Sequence, residues 1–579
     1  MNHPLPLLLR LTAFSSILLV SSACRTPSGP GGAPAAAPAS PQEGEARAFL
    51  ADHEISVRPL EKALALAWWE ANTLGTDDAF KGKEEAQNLL DAALSDPARF
   101  TGLKAIREAL KAAPKPDPLV VRQMDLLYLQ YLEKQVDPEL LKRISAKANA
   151  IEQAFNVYRA RVGDRELSDR EVRKVLKESK DPAYRKAVWE ANKCVGAAVE
   201  KDLRALVTVR NEAARKLGFK DFHAMTLALN EQSQEAVLKL LDELHDLTRE
   251  PFREVKARID EKLAKDYGIA REDLRPWHYN DPFFQEAPLV SGKSFDPVYA
   301  TQDIPGLARQ FYAGIGLPVD GILERSDLFE RKGKSPHAFS TDIDRAGDSR
   351  ILANIVPTEY WMATTLHELG HAVYTSLNIP PAVPYVLRME AHPVTTEGIA
   401  MMFEQFAKSP AWLEAMGIKV PDREALEAAG RDLQRSQLLI FAAWVQVMFR
   451  FEMGMYGNPD QDLNKLWWDL VETYQLIRRP EGRSAPDYGA KLHIVSAPCY
   501  YHNYQMGQFF ASQVHHAIAR EVLKTGPATA LYVGRKDVGD WLKTKVFTPG
   551  RTFDWNALTK AATGEDLSAK SFAEDLKDR

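Results

Sequence analysis

From residue 59 onward, apolar positions recur three and four apart, the spacing that lines one face of an α-helix. The pattern runs over residues 59–71, 83–94, 122–133 and 138–160. Asp169, with Glu171 close behind, starts a further helix, and Asp181 and Pro182 open one that runs through Trp189 towards Leu217. Residues 231–267 read as one or two long helices with charged outer faces. No sustained strand-like alternation interrupts this region. Residues 275–304 change character. Pro276, Trp277, Tyr279, Pro282, Phe283, Phe284, Pro288 and Pro297 crowd a stretch with few helix formers, which reads as irregular. Helical pattern resumes near Pro305. A short strand pair is expected between Gly321 and Val356. There "RSDLFE" and "PHAFSTDI" flank the turn-like "RKGKS", and "RILANIV" follows the turn "RAGD". Helices then dominate to Thr525. The expected class is mainly α, with at most a small β element; a boundary between two lobes would fall near residue 305.

The N-terminal residues read differently. Arg10 precedes an apolar run from Leu11 to Val20, then Ser21, Ser22, Ala23 and Cys24. A charged start, a short apolar core and small residues form an export signal, and the run is too short to span a bilayer. A cysteine directly after the small residues resembles a bacterial lipoprotein processing site. Residues 1–23 are therefore expected to be a signal peptide, with Cys24 as the first mature residue and an anchor in the periplasm or outer membrane, or otherwise a secreted chain. Residues 24–46, rich in Pro, Gly, Ala and Ser, read as a tether, and residues 47–579 as the folded domain. Removing residues 1–46 should then leave the core folded.

Composition narrows the function. A net charge of -5 and the lack of basic runs with interleaved aromatics exclude a nucleic-acid footprint. Cys24, Cys194 and Cys499 are the only cysteines, too few for a disulfide framework in an exported protein of this size. Cys194 and Cys499 read as buried thiols.

The strongest chemical signal is "TTLHELGHAVY". On a helix, His367 and His371 stand one turn apart on the same face and can share one zinc ion, while Glu368 can take a proton from the attacking water. Gly370 lets this helix lie close to a neighbour. The bland alternative is a pair of satisfied helix histidines beside a surface glutamate. A hydrolytic zinc needs a third protein ligand and an open position. In "PVTTEGIAMMFEQFA", Glu397 falls in the first turn of a helix beside Gly398, and Glu404 shares its face as an outer partner; Glu390 is the runner-up ligand. Further on, "AKLHIVSAPCYYHNYQMGQFF" packs Lys491, His493, Tyr500, Tyr501, His502, Asn503 and Tyr504 together. Tyrosine and histidine can donate to an oxyanion, and lysine can fix a carboxylate. A tyrosine-rich core helix would look the same. His337 in "PHAFSTD" is isolated, and by itself suggests a surface or capping role.

Together, "HAFS", "GDSRI", "HELGHAVY", "TTEGIA" and "AKLHI" followed by a proline and tyrosines resemble, in order, segments of the angiotensin-converting enzyme family of zinc peptidyl-dipeptidases. A weaker likeness through "NEAARKLGFKDFHAM" extends this from about residue 50 to the C-terminus. "TGEDLSAKSFAEDL" also resembles related oligopeptidases. The resemblance implies a two-lobed helical ellipsoid with a deep central cleft, the zinc motif on its floor, and one Zn2+ per monomeric chain. By correspondence, His337 and His493 bind the substrate backbone, Lys491 grips the C-terminal carboxylate, Tyr504 stabilises the tetrahedral intermediate and Tyr501 contacts the C-terminal residue. One extra residue separates His493 from Tyr501, so Tyr500 is the alternative for that last role. Asn503 stands where chloride-activated members have arginine, which argues against chloride activation. The family's carboxylate-binding glutamine has no clear match; "PWHYNDPFF" occupies its region.

The expected function is a zinc peptidase that releases C-terminal dipeptides from peptides with a free C-terminus by glutamate-assisted attack of water. The alternatives are a zinc oligopeptidase or carboxypeptidase of the same fold and, from another class, a non-enzymatic helical binding protein.

Overall fold

Aspartate followed by proline opens helix after helix in this chain. Asp96, Asp117, Asp137 and Asp181 each cap a helix, at Pro97–Ala112, Pro118–Glu133, Pro138–Val157 and Pro182–Lys216. The carboxylate accepts backbone N–H groups of the first turn, and proline occupies the position whose N–H has no helical partner. The computed structural model describes residues 40–288 and 294–578. The expected export signal and the expected anchor at Cys24 lie outside the described residues. Helices account for most of these, with two two-stranded sheets, so the mainly α class holds.

The first helix, Pro41–Leu74, starts earlier than the expected domain start at residue 47. Ser40 caps it, Ala46 is buried, and Arg47 pairs with Glu43 and Asp117. The stretch at 41–46 looks like tether by composition, yet it packs. Residues 231–267 form one continuous helix, Gln234–Tyr267, with Pro251 inside it. The helix expected to reach Ala160 stops at Val157, and a small hairpin follows, β1 (Ala160–Val162) and β2 (Arg165–Leu167). Its three-residue strands are too short for alternation to register. The second hairpin joins β3 (Phe339–Asp342) to β4 (Ser349–Leu352) across the "RAGD" turn. "RSDLFE" supplies no strand; only Asp327 bridges, in parallel, to Leu352. Lys334 explains this. Its buried ammonium donates to the carbonyls of Asp327, Phe329 and Ala353 and to the Asp327 carboxylate, drawing that loop into a coil around one charge.

Core packing does not divide near residue 305. Tyr299, Ile304, Leu307 and Phe311 belong to the large core cluster that extends from Ile151 to Leu576. A separate cluster joins residues 46–131 to Val386 and Leu387. The helix Arg423–Gly457 is long and apolar enough to cross a membrane, but 72 % of its apolar window is buried inside the fold. Cys194 and Cys499 are free thiols. Cys499 is buried as expected, whereas Cys194 is exposed on the outer face of its helix, between inward-facing Lys193 and Val195.

Three helices pack at the centre: the histidine helix Glu359–Thr375, the glutamate helix Pro393–Glu404 and the tyrosine helix His502–Ile518. Glycines set their spacing. A Cβ on Gly370 would stand 2.8 Å from the Cα of Ala400, and one on Gly398 would stand 2.7 Å from the carbonyl oxygen of Gly507. Replacing Gly370 by alanine should therefore push the first two helices apart. The expected cost is about 1–3 kcal/mol, the range for overpacked cores, together with reduced metal retention after dialysis. Gly102→Ala, in a helix with open space around that position, is the control and should not destabilise. Thermal melting and metal content check both.

Candidate metal centre and substrate cleft

The histidine helix begins at the Thr358 cap and carries His367 and His371 on one face. The glutamate helix starts at His392 and Pro393, which places Glu397 in its early turns, facing the histidines. One ligand atom each from His367, His371 and Glu397 lies within 4.8 Å of the others. The two histidine Nε2 atoms are 3.1 Å apart, and a Glu397 oxygen lies 3.6 and 4.0 Å from them. Tetrahedral zinc with bonds near 2.0–2.1 Å spaces its ligand atoms by about 3.3 Å, so this triangle has the right scale.

The outward ring nitrogens fix the imidazoles. His367 Nδ1 lies 2.6 Å from a Glu404 oxygen, and His371 Nδ1 lies 2.7 Å from the Thr396 hydroxyl. Because the Glu404 carboxylate accepts only, Nδ1 of His367 donates to it and the Nε2 lone pair turns inward. Such outer partners orient metal-binding histidines and raise their basicity. Thr396 stands beside Glu397 and had no part in the sequence reading. Burial opposes a charged His367, but Glu404, Glu368 and Glu397 outweigh it and push its pKa to about 9. Burial, with His367 adding, holds His371 well below its usual value. Glu368, 8 % exposed, is pushed up to about 7, chiefly by burial. Three carboxylates and two imidazoles crowded out of water form a donor set that a divalent cation satisfies, and nitrogen and oxygen donors suit zinc.

The cleft has two connected parts. One cavity of about 700 Å3 is lined by residues 338–343, by His367, Glu368, His371, Glu390, Glu397 and Tyr500, and by Glu61 of the first helix. A second, of about 740 Å3, holds Glu404, His493, Tyr501, Gln437 and Glu286. Met401 and Tyr504 line both. Glu390, the runner-up ligand, lines the first cavity but stands outside the three-residue cluster. The backbone of Ser340 on β3 supports the Glu368 carboxylate.

The structure separates the tyrosines. The Tyr500 hydroxyl lies 3.5 Å from Glu397, whereas the Tyr501 ring lies 5.1 Å from the Lys491 ammonium and stacks on Phe441. Tyr504 faces Tyr500, Tyr501 and His493. His493 is half-buried, its pKa held near 4 by burial with Lys491 adding, and its Nδ1 has no protein partner. His337 is not brought in; its side chain is exposed, and only the residues after it line the cavity. Asn503 is buried against Gln232 in a neutral amide pair.

Lys491 reveals what the sequence reading missed. Its ammonium donates to Oε1 of Gln285 at 2.5 Å. Gln285 directly follows "PWHYNDPFF", so the region expected to hold a glutamine does hold one. A loop residue with no periodic neighbours carried no signal of its own; only its position after that segment could have marked it.

Glutamine in place of Glu397, Glu404 or Glu390 should rank in that order by effect on zinc affinity, measured by competition with a chelator. Glu397→Gln should lose most, Glu404→Gln about 10–100-fold as for other outer partners, and Glu390→Gln little. A dominant effect at Glu390 would assign the third ligand wrongly here.

Comparison with known proteins agrees with this geometry. The family model described as angiotensin-converting enzyme, peptidase family M2, matches residues 40–276 and 298–576. An inactive angiotensin-converting enzyme-related protein of Caenorhabditis elegans is 20 % identical over 498 residues, 78 % of this chain and 54 % of that protein. The chain thus spans about half the length of the curated relative it matches. With the family model matched across both sides of the metal cluster and most of the fold, the chain belongs to the angiotensin-converting enzyme family of peptidases.

Proposed function

We propose that this chain is a zinc-dependent peptidyl-dipeptidase acting on peptides with a free C-terminus. The observation that carries the proposal is the order of groups along one cleft. The ligand cluster and Glu368 lie in the first cavity, Tyr504 lies at the junction, and His493 and Tyr501 line the second. Buried Lys491, bonded to Gln285, lies beyond the Tyr501 ring, which is 5.1 Å from its ammonium. The relative's name includes "inactive", but this chain keeps both histidines, the intervening glutamate and Glu397.

His367, His371 and Glu397 would hold the zinc, with Glu404 and Thr396 orienting the imidazoles. Zinc, when bound, supplies Lewis acidity towards water and the scissile carbonyl. Glu368 takes a proton from the attacking water and passes it to the leaving amine. Its burial keeps bulk water from competing for that proton. Tyr504 donates to the carbonyl oxygen as negative charge develops. His493, neutral in this setting, binds the peptide backbone. Lys491 and Gln285 receive the terminal carboxylate, and Tyr501 packs beside it. Anchoring the terminus at a set distance from Glu368 is what favours release of a fixed-length product.

Product masses from N-terminally blocked peptides test the reading. Stepwise loss of dipeptides supports it; loss of single residues means a carboxypeptidase, and internal cuts indifferent to C-terminal amidation mean an oligopeptidase. Glu368→Gln should keep its zinc and lose turnover on the order of 1,000-fold, within the range for a missing general base. Near-normal turnover in the metal-loaded variant would remove Glu368 from this role.

Lys491 makes the cleft pH-sensitive. Burial lowers its pKa to about 8, so the ammonium persists below that pH and is lost above it. KM for free-acid peptides should therefore rise as pH passes about 8, while C-amidated peptides show no such rise. Lys491→Met should flatten the difference. KM against pH for the matched pair of peptides checks this.

A further inference from the structure

An irregular stretch, residues 276–288, is clamped by polar side chains from distant helices. Arg185 donates to the carbonyls of Trp277 and Tyr279, and Trp189 to that of Pro282. Gln475 donates to the carbonyls of Phe283 and Phe284. Gln437 donates to the Gln285 carbonyl and accepts the N–H of Ala287. At the centre, Asp281 is 0 % exposed, and its carboxylate accepts the backbone N–H groups of Phe283, Gln285 and Glu286 at 2.9–3.2 Å. This stretch lines the second cavity with Glu286 and Ala287, and just before them holds the Gln285 side chain against Lys491.

Lys491 needs a counter-charge. Its ammonium is buried among the rings of Phe283, Trp444 and Tyr501 at 5.1–5.6 Å, and a second buried lysine, Lys193, lies 3.2 Å from the centre of the same Phe283 ring. The charged and titratable groups around Lys491 are Asp281, Glu286, Asp169, Arg173, Lys193 and His493. Asp169 pairs with Arg173, and Glu286 with Arg173 and Lys177. Asp487 faces Lys193 and pairs with Arg483, whereas among the described residues no ion pair engages Asp281. Burial pushes the Asp281 carboxyl up in pKa, while its backbone N–H bonds oppose the shift. Unbalanced, two ammonium groups in so apolar a setting are strongly disfavoured.

We propose that Asp281 is the positioning residue of the carboxylate subsite: it sets Gln285 against Lys491 and supplies a buried carboxylate that faces the Lys491 ammonium. The inference rests on the reading of Lys491 as the C-terminal anchor. Asp281 itself touches no substrate; it acts through the loop and through the lysine.

The test is calorimetric binding of a dipeptide and its C-terminal amide to the whole protein, from pH 6.5 to 9.5. Wild type should prefer the acid, and the preference should fade above pH 8. Asp281→Asn keeps the volume and one acceptor but removes the charge. Its acid preference should fade about one pH unit earlier, making acid binding about fivefold weaker at pH 8, with amide binding unchanged. Asp281→Ala should weaken acid binding further by freeing the loop. Gln437→Leu, at a half-buried position, frees the same loop without touching the charge; it should weaken acid binding and leave the pH midpoint alone, and it serves even where the Asp281 variants misfold. Wild-type affinity and midpoint in Asp281→Asn would overturn the electrostatic part, and unchanged acid affinity in Gln437→Leu the positioning part. If wild type itself fails to distinguish acid from amide, the anchor reading falls and this inference with it.

Discussion

The site depends on how closely three helices approach one another. The Nε2 atoms of His367 and His371 meet Glu397 only because the glutamate helix lies against the histidine helix with no side chain between them, at Gly370 and Ala400. The tyrosine helix closes on the same point. A Cβ on Gly507 would come within 3.2 Å of the Cβ of Glu397, and Gly398 faces the Gly507 carbonyl in return. Helix axes usually pack 8–10 Å apart, set by the side chains between them; glycines at these contacts remove side chains that would hold the helices apart. This contact brings Tyr500 to Glu397 and places Tyr504 where the two cavities meet.

The parts of this arrangement built from local pattern were legible in the sequence. Histidines four apart on an amphipathic helix, a glutamate in the early turns of another and glycines beside each are short-range features, and the helical period carries them into space. The same holds for the helix starts, where aspartate and proline announce the cap. The tyrosine segment was visible as a cluster, but which tyrosine meets which partner depends on a bend. Cys499 adopts a left-handed backbone (φ 62°), with its N–H bonded to buried Glu452. That turn separates Tyr500, on the metal side, from Tyr501, on the lysine side.

What was not legible rests on contacts between segments far apart in the chain. Gln285 meets Lys491 only because Asp281 turns its loop and because Gln437 and Gln475 hold that loop from other elements. No period marks such a loop. The strand expected at "RSDLFE" is cut short for a related reason: Asp327 and Leu328 keep ladder bonds to Ala353 and Ile355, but the Asp327 and Phe329 carbonyls also take the Lys334 ammonium, and pairing goes no further. Cys194 misled because apolar neighbours in sequence point to the opposite side of the same helix. His337 lies just before β3, and the strand's register takes the residues after it, not its own ring, to the cavity wall.

The Lys334 coil has a consequence beyond its own corner. Carbonyl oxygens gathered around a positive charge are what a loop uses to hold a sodium or potassium ion, and here the ion is tethered to the chain by its own side chain. Such a counter-ion cannot be diluted away, exchanged for another or taken by a chelator. The β3–β4 wall of the cleft is thus secured by a positive charge that belongs to the chain itself.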